Sequence, residues 1–120
     1  MSRDHTKLRV FTLADGLVID VYRHSSGFPR NEQQGLSSQL RRAAVSTASN
    51  IVEGSARRTT REYLSFLNVA TGSAFVARYL IDLSSRLGFL EASAGADLVD
   101  RYNELARSLV KLVKSLENLP

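Results

Sequence analysis

Residues 98–119 read LVDRYNELARSLVKLVKSLENL, and their apolar positions repeat at the period of an α-helix. Spacings of four and three residues place these positions on one stripe for about three heptads, which is typical of a bundle helix that faces a core. Ser93 precedes the stripe and is the predicted N-cap. The stripe consists of Leu98, Tyr102, Leu105, Leu109, Leu112, Leu116 and Leu119, widened by Val99, Ala106 and Val113.

Helical periodicity also predicts a first helix from Asp4 to Ser25, with Asp4 as its N-cap. Gly27 and Pro29 end this helix, because glycine accepts a left-handed turn and proline cannot continue a helix. A second helix is predicted over Gly35–Ala56, after a short turn at Arg30–Gln33.

A third helix is predicted to begin at Thr59 and to end at Gly88. Thr59 and Glu62 have the spacing of a capping box, in which each side chain satisfies a free backbone amide. No sustained period-two alternation or Asn-Gly turn indicates a strand. Four helices with short connections predict one all-α domain over residues 1–120, an antiparallel up-down-up-down four-helix bundle. Exchange of helices between protomers stays open.

Composition and motif content predict a protein that is not an enzyme. The chain of 120 residues has no cysteine and two histidines, and neither His5 nor His24 follows a glutamate by three residues, as a di-iron bundle requires. No Walker-type Gly-Lys-Ser/Thr motif or nucleophile elbow occurs. We therefore expect no catalytic residue, no metal, no cofactor and no small-molecule substrate.

Charge and hydropathy patterning limit where the protein is located and which partners it can bind. No apolar run approaches the ~20 residues that span a bilayer, and no signal-peptide core follows the charged start. We therefore expect a cytoplasmic protein without membrane contact. The chain carries 16 Lys and Arg against 12 Asp and Glu, a net charge of +4 that permits an anionic partner.

The second and third helices carry more apolar residues than one core-facing stripe needs. Such an excess on two adjacent helices favours an interface between copies of the chain, although single exposed hydrophobes are also common on monomers. The predicted interface residues are Val45, Val52, Gly72, Val76, Tyr79 and Leu83.

The second helix also carries a polar stripe on one face. Serine and asparagine are poor choices for a purely solvated helix face, which favours a buried network that fixes helix register or subunit packing. A solvated face with weak i,i+4 pairs is the alternative. The stripe consists of Arg42, Ser46, Asn50, Glu53 and Arg57.

A series of short motifs runs in a fixed order from the first connection into the third helix. They are Phe28-Pro29, Glu32, Gly35-Leu36, Gln39–Ala44, Ser46, Asn50–Gly54, Arg57 and Phe66-Leu67. With these motifs the sequence resembles the bacterial "four helix bundle protein" family, which includes the proteins encoded in 23S ribosomal RNA intervening sequences. It is also similar to the accessory variability determinant of diversity-generating retroelements. The resemblance extends from Leu8 into the fourth helix.

The resemblance implies a four-helix bundle that assembles into a homopentamer. It also implies association with ribosomal RNA or, for the retroelement relative, work with a reverse transcriptase and nucleic acid. One position departs from the family pattern. Ala70, Gly72 and Ser73 match it, but Val76 stands where the family usually has a glutamate.

In an antiparallel bundle the N-terminus, the connection between the second and third helices, and the C-terminus lie at one end. Eight cations fall there against four carboxylates, a net charge of +4, whereas the opposite end carries −2. We predict a nucleic-acid-binding accessory protein for structured RNA or duplex; a protein-interaction scaffold that binds no nucleic acid is the alternative. The predicted binding residues are Arg3, Lys7, Arg9, Arg57, Arg58, Arg61, Lys111 and Lys114, and the acids are Asp4, Glu53, Glu62 and Glu117.

Overall fold

A computed structural model describes residues 3–119; Met1, Ser2 and Pro120, the ends of the predicted domain, lie outside the described residues. The described chain forms α1 (Arg9–Ser25), α2 (Leu36–Ser55), α3 (Thr60–Arg86) and α4 (Ala92–Glu117). Short 3-10 helices precede α1 at His5–Lys7 and α2 at Arg30–Glu32. No strand occurs within residues 3–119, so the all-α prediction is confirmed.

Contacts at both ends of α1 and α2 make these helices antiparallel. At one end, the Ser37 hydroxyl at the start of α2 donates to the Ser25 carbonyl at the end of α1, at 3.4 Å. At the other end, the Arg3 backbone amide, ahead of α1, donates to the Ser55 carbonyl at the end of α2, at 2.8 Å.

The same reasoning makes α2 and α3 antiparallel. The hydroxyls of Ser46 and Ser73 lie 2.9 Å apart at the middle of both helices. Near the connection, Gly54 lies so close to α3 that a Cβ placed on it would stand 2.9 Å from the Cβ of Phe66.

Contacts between α3 and α4 complete the alternation of helix directions. Arg78 Nη1 donates to Asn103 Oδ1 at 2.7 Å in the middle of both helices. Gly95, near the start of α4, packs against Ser85 near the end of α3. These contacts support an up-down-up-down order, in which α4 also packs against α1.

All four helices contribute side chains to one contiguous core. The predicted stripe of α4 is buried from Leu98 to Leu109 and partly buried at Leu112 and Leu116. Leu119 is 55% exposed, because α4 ends at Glu117 before this residue can join the stripe. The largest fully buried side chains include Leu17, Leu40, Ile51, Tyr63, Leu67, Ile81, Leu98, Tyr102, Leu105 and Leu109.

Two predicted helix starts are wrong. Asp4 caps the 3-10 turn instead of α1: its carboxylate accepts from the hydroxyl and the backbone amide of Thr6, and these bonds lower its pKa. The α-helix begins only at Arg9. In α4 the N-cap is Glu91, one residue ahead of Ala92, and the Ser93 hydroxyl donates to the Glu91 carboxylate rather than capping the helix.

The predicted ends of α3 are confirmed. The Thr59 hydroxyl oxygen accepts from the Glu62 backbone amide at 3.1 Å, which is one half of the predicted capping box. The Glu62 carboxylate accepts from the Thr59 hydroxyl at 2.9 Å rather than from the Thr59 backbone amide, so the other half does not form. Gly88 has a φ of +80°, the left-handed conformation that ends a helix most cheaply at glycine.

One helix, α3, is long and apolar enough to cross a membrane by length and composition alone. This is weak evidence, because core helices of soluble proteins meet the same criterion. Only a third of its most apolar window is buried inside the protein. The expected lack of membrane contact therefore stays a prediction.

Candidate nucleic-acid interface

Arg3 fastens the N-terminal segment to the connection between α2 and α3. Its backbone amide reaches Ser55, and its guanidinium donates to the Arg57 carbonyl at 3.4 Å. The same guanidinium lies 4.3 Å from the ring centroid of Tyr63. Burial raises the pKa of the Tyr63 phenol, and the positive charge of Arg3 opposes this shift. The N-terminus and the α2–α3 connection therefore share one end.

The three arginines at this connection have different environments. Arg57 forms an ion pair with Glu53, and its guanidinium lies 4.8 Å from the ring centroid of Phe66. Arg58 and Arg61 are exposed and form no ion pair within residues 3–119. Arg57 is thus a packing residue, whereas the other two are available to a ligand.

The end of α4 lies beside the start of α1. Lys111 lines a shallow groove together with Leu8 and Arg9. Arg9 forms an ion pair with Glu104, which lies in the middle of α4 rather than at its end. Lys111 of α4 therefore lies next to the N-terminal segment.

We use the term "basic end" for this part of the bundle: the N-terminal segment, the α2–α3 connection and the last turns of α4. Three of its eight predicted cations are held by other groups of the protein, namely Arg3, Arg9 and Arg57. The other five are exposed and have no carboxylate partner in the described chain: Lys7, Arg58, Arg61, Lys111 and Lys114. We call these the free cations.

The predicted polar stripe of α2 does not form one buried network in the monomer. Asn50 donates to the backbone carbonyl of Ser46 at 2.8 Å, and the Ser46 hydroxyl contacts Ser73 of α3. Glu53 and Arg57 form a separate, exposed ion pair. Arg42 is exposed and makes no hydrogen bond within the part of the chain that is described. Ser73, the partner across the helices, was absent from the sequence prediction because side-chain periodicity reports one helix at a time.

The predicted interface residues are spread over several grooves. Val45 lines the groove between α1 and α2, whereas Gly72 and Val76 line the groove between α2 and α3. Tyr79 lies on the α4 side of α3. Val52 and Leu83 are partly buried within the chain itself.

A second apolar stripe of α3 was only partly identified from the sequence. Val69 is 51% exposed, as is Val76, and both follow the spacing of three and four residues that continues through Gly72 and Tyr79. This spacing is visible in the sequence and could have identified Val69 as well. We call these four residues the outer stripe of α3.

Most of the chain matches one known protein family. Residues 6–111 match the family model of the 23S rRNA-intervening sequence protein. The chain belongs to this family. No curated protein matches the sequence significantly.

A solved structure shares the fold of this member of the family. It is a protein of unknown function from the S23 ribosomal protein family of Bacteroides thetaiotaomicron, 20% identical in sequence, with a TM-score of 0.79. The match covers 88% of this chain and 95% of the other. At this identity the likeness establishes the fold alone.

The departure from the family pattern at Val76 has a structural consequence. Val76 and Arg42 line the same groove between α2 and α3. The family resemblance implies a glutamate at position 76, which would stand in the groove that Arg42 also lines. Val76 gives this groove an apolar side chain, and Arg42 has no carboxylate partner in residues 3–119.

Proposed function

We propose that this protein is a non-enzymatic homo-oligomer that binds structured RNA or duplex nucleic acid through its basic end. The observation that carries the proposal is the set of five free cations at an end assembled from three separate chain segments. The family's association with intervening sequences of 23S rRNA supports RNA as the natural polyanion.

The composition of the basic end favours contact with phosphates over reading of bases. Its aromatic rings are occupied: Tyr63 is buried beneath Arg3, and Phe66 packs against Arg57. Lysine and arginine contacts to phosphates give affinity that depends strongly on salt and little on sequence. We therefore expect the basic end to recognise the backbone of a stem.

The outer stripe of α3 supports assembly of several copies. Val69, Val76 and Tyr79 are each half exposed and lie in line on one helix, and a contiguous apolar patch of this kind marks interaction sites more often than scattered hydrophobes do. The family resemblance favours a pentamer. If the copies are parallel, the ring gathers their basic ends on one rim and strengthens the field that attracts a polyanion.

A pair of charge reversals tests this proposal. Arg58→Glu combined with Arg61→Glu removes two free cations, and we expect it to abolish the shift of an RNA hairpin in a native gel. Arg57 is left unchanged, because its guanidinium packs on Phe66 and its loss would change stability as well as charge. The matched control combines Arg23→Glu with Arg30→Glu. These two arginines are exposed at the opposite end of the bundle, and the control changes the net charge by the same amount.

Full binding by the Arg58/Arg61 variant, or equal loss in both variants, would contradict a role for the basic end. Absence of any binding by the unchanged protein would favour the second candidate, an oligomeric scaffold for protein partners. The observation that supports this second candidate is the half-exposed outer stripe of α3, which offers an apolar surface to a protein partner.

A further inference from the structure

A further groove runs between α3 and α4, next to the basic end. It encloses about 450 Å³, within the ~300–1,000 Å³ range of small-ligand sites. Its apolar part is formed by Phe75, Ala106 and Val110, and its polar part by Arg78, Asn103, Arg107 and Lys111.

An exposed aromatic ring with a stacked cation lies in this groove. The ring of Phe75 is 44% exposed, and the guanidinium of Arg78 lies 5.0 Å from its centroid. Arg78 is fixed there by its 2.7 Å hydrogen bond to Asn103 Oδ1. A planar group entering the groove can therefore extend an existing stack of ring and guanidinium.

Donors predominate among the polar groups of the groove. The Asn103 amide oxygen already accepts from Arg78, and its amide NH₂ stays free to donate. Arg107 and Lys111 stand one helical turn apart, and neither forms an ion pair within residues 3–119. No lining residue within the described range 3–119 is an aspartate or glutamate. The groove is thus complementary to a ligand that presents acceptors and negative charge.

The groove is continuous with the basic end. Lys111 lines both this groove and the one beside Leu8 and Arg9. A nucleic acid held by the free cations can therefore extend along α4 into the groove without leaving the positive surface.

We propose that this groove binds one unpaired nucleotide of an RNA whose stem is held at the basic end. The inference rests on the proposed function and specifies its substrate class: a stem with a bulged or flanking single-stranded nucleotide. The base stacks on Phe75 and Arg78, Asn103 donates to an acceptor on the base edge, and Arg107 and Lys111 contact the adjacent phosphates. Unstacked bases in RNA are recognised by such aromatic and guanidinium planes.

An acidic amphipathic helix from a protein is a less suitable occupant. Such a helix needs a continuous apolar floor for its i, i+3, i+4 and i+7 residues. Here Ala106 is buried, and the exposed apolar groups are the single ring of Phe75 and the tip of Val110. A stacking platform surrounded by donors fits a base better than it fits a helix face.

Binding of matched RNA hairpins to the full chain tests the inference. One hairpin is fully paired, and a set of otherwise identical hairpins carries one unpaired adenosine at successive positions of the stem. By fluorescence anisotropy we expect one or more bulged hairpins to bind about tenfold more tightly than the paired one, the effect of stacking one base. Phe75→Ala should remove this gain and leave the affinity for the paired hairpin unchanged.

Tyr22→Ala is the matched control, because the Tyr22 ring is about as exposed as the Phe75 ring, at 43%. An arginine guanidinium, that of Arg41, also lies 4.5 Å from its centroid, but the pair stands near the opposite end of the bundle. It should leave the gain intact. The inference is overturned if no bulged hairpin gains affinity, if the gain survives Phe75→Ala, or if Phe75→Ala weakens the paired hairpin equally. Binding of the paired hairpin without a bulge effect overturns this inference alone, whereas failure of every hairpin to bind overturns the proposed function.

Discussion

Neighbouring arginines at the α2–α3 connection show how residues of one type take different roles. Arg57 folds back onto Phe66 and pairs with Glu53, whereas Arg58 projects into solvent. The sequence identifies both as basic, but it does not show that the Arg57 guanidinium packs on Phe66 of α3. Charge could therefore be predicted from the sequence, and the division into packing and free cations could not.

We expect Arg57→Ala to lower the free energy of unfolding by about 1 kcal/mol. The substitution removes a cation–π contact and strands little else, because the ion pair with Glu53 is exposed and weak. Arg58→Ala should change stability by less than about 0.5 kcal/mol. Chemical denaturation of both variants measures the difference, and equal effects would show that Arg57 is as free as Arg58.

Tyr102 has a buried hydroxyl that no group of residues 3–119 satisfies. We expect Tyr102→Phe to raise stability by about 1 kcal/mol, because the desolvation cost of the hydroxyl disappears while the ring stays. A loss of stability in thermal unfolding would instead reveal a partner for the hydroxyl.

The pH dependence of the same variant gives an independent check. Burial raises the pKa of Tyr102 above its ordinary value of 10.0, so the unfolded chain ionises first. The wild-type protein should lose stability as the pH rises above 10, and Tyr102→Phe should lose less. Parallel pH profiles for the two proteins would contradict this explanation.

At the scale of the helices, the sequence predicted their existence and interior better than their starts. The repeat of α4 and the Thr59 cap of α3 depend on residues close together in the chain, and both were confirmed. The start of α1 was wrong because Arg3 is held by the Ser55 carbonyl, a contact with a distant helix that accompanies the 3-10 turn. Tertiary contacts of this kind leave no local pattern.

Close approach of α2 and α3 depends on Gly54. We expect Gly54→Ala to destabilise the protein, although alanine favours a helix, because the added Cβ would stand 2.9 Å from Phe66 and 3.0 Å from Tyr63. Gly16→Ala in α1 is the control: its Cβ would meet only the tip of Arg101, at 3.8 Å, so stability should stay equal or rise. Thermal unfolding compares the two, and tolerance of Gly54→Ala would show that the helices can separate at no cost.

At the scale of the whole molecule, the order of the helices brings cations from separate chain segments to one end of the bundle. Up-down-up-down order was enough to predict that three segments meet, and Arg3 and Lys111 lie as this order requires. The interface prediction was less complete, since exposure around α3 depends on which neighbouring helix covers each residue. Val45 and Val76, for example, lie in different grooves.

We expect the protein to form a homo-oligomer through the outer stripe of α3. Light scattering on a sizing column should give the mass of several chains, and Tyr79→Glu should reduce it by placing a charge on a half-exposed apolar surface. Leu119→Glu, at an exposed apolar residue outside the stripe, is the control. A mass of one chain at all concentrations would contradict assembly.

The salt dependence of binding to a labelled duplex tests the basic end most directly. Each phosphate neutralised on duplex DNA contributes a slope of about −0.9 to log affinity against log salt. The unchanged protein should therefore show a steep slope, and the milder Arg58→Ala with Arg61→Ala, which removes two contacts without reversing their charge, should make it shallower by about 1.8. Arg23→Ala with Arg30→Ala should leave it unchanged. Affinity that is independent of salt, or a slope that the Arg58/Arg61 variant retains in full, would contradict nucleic-acid binding through the basic end.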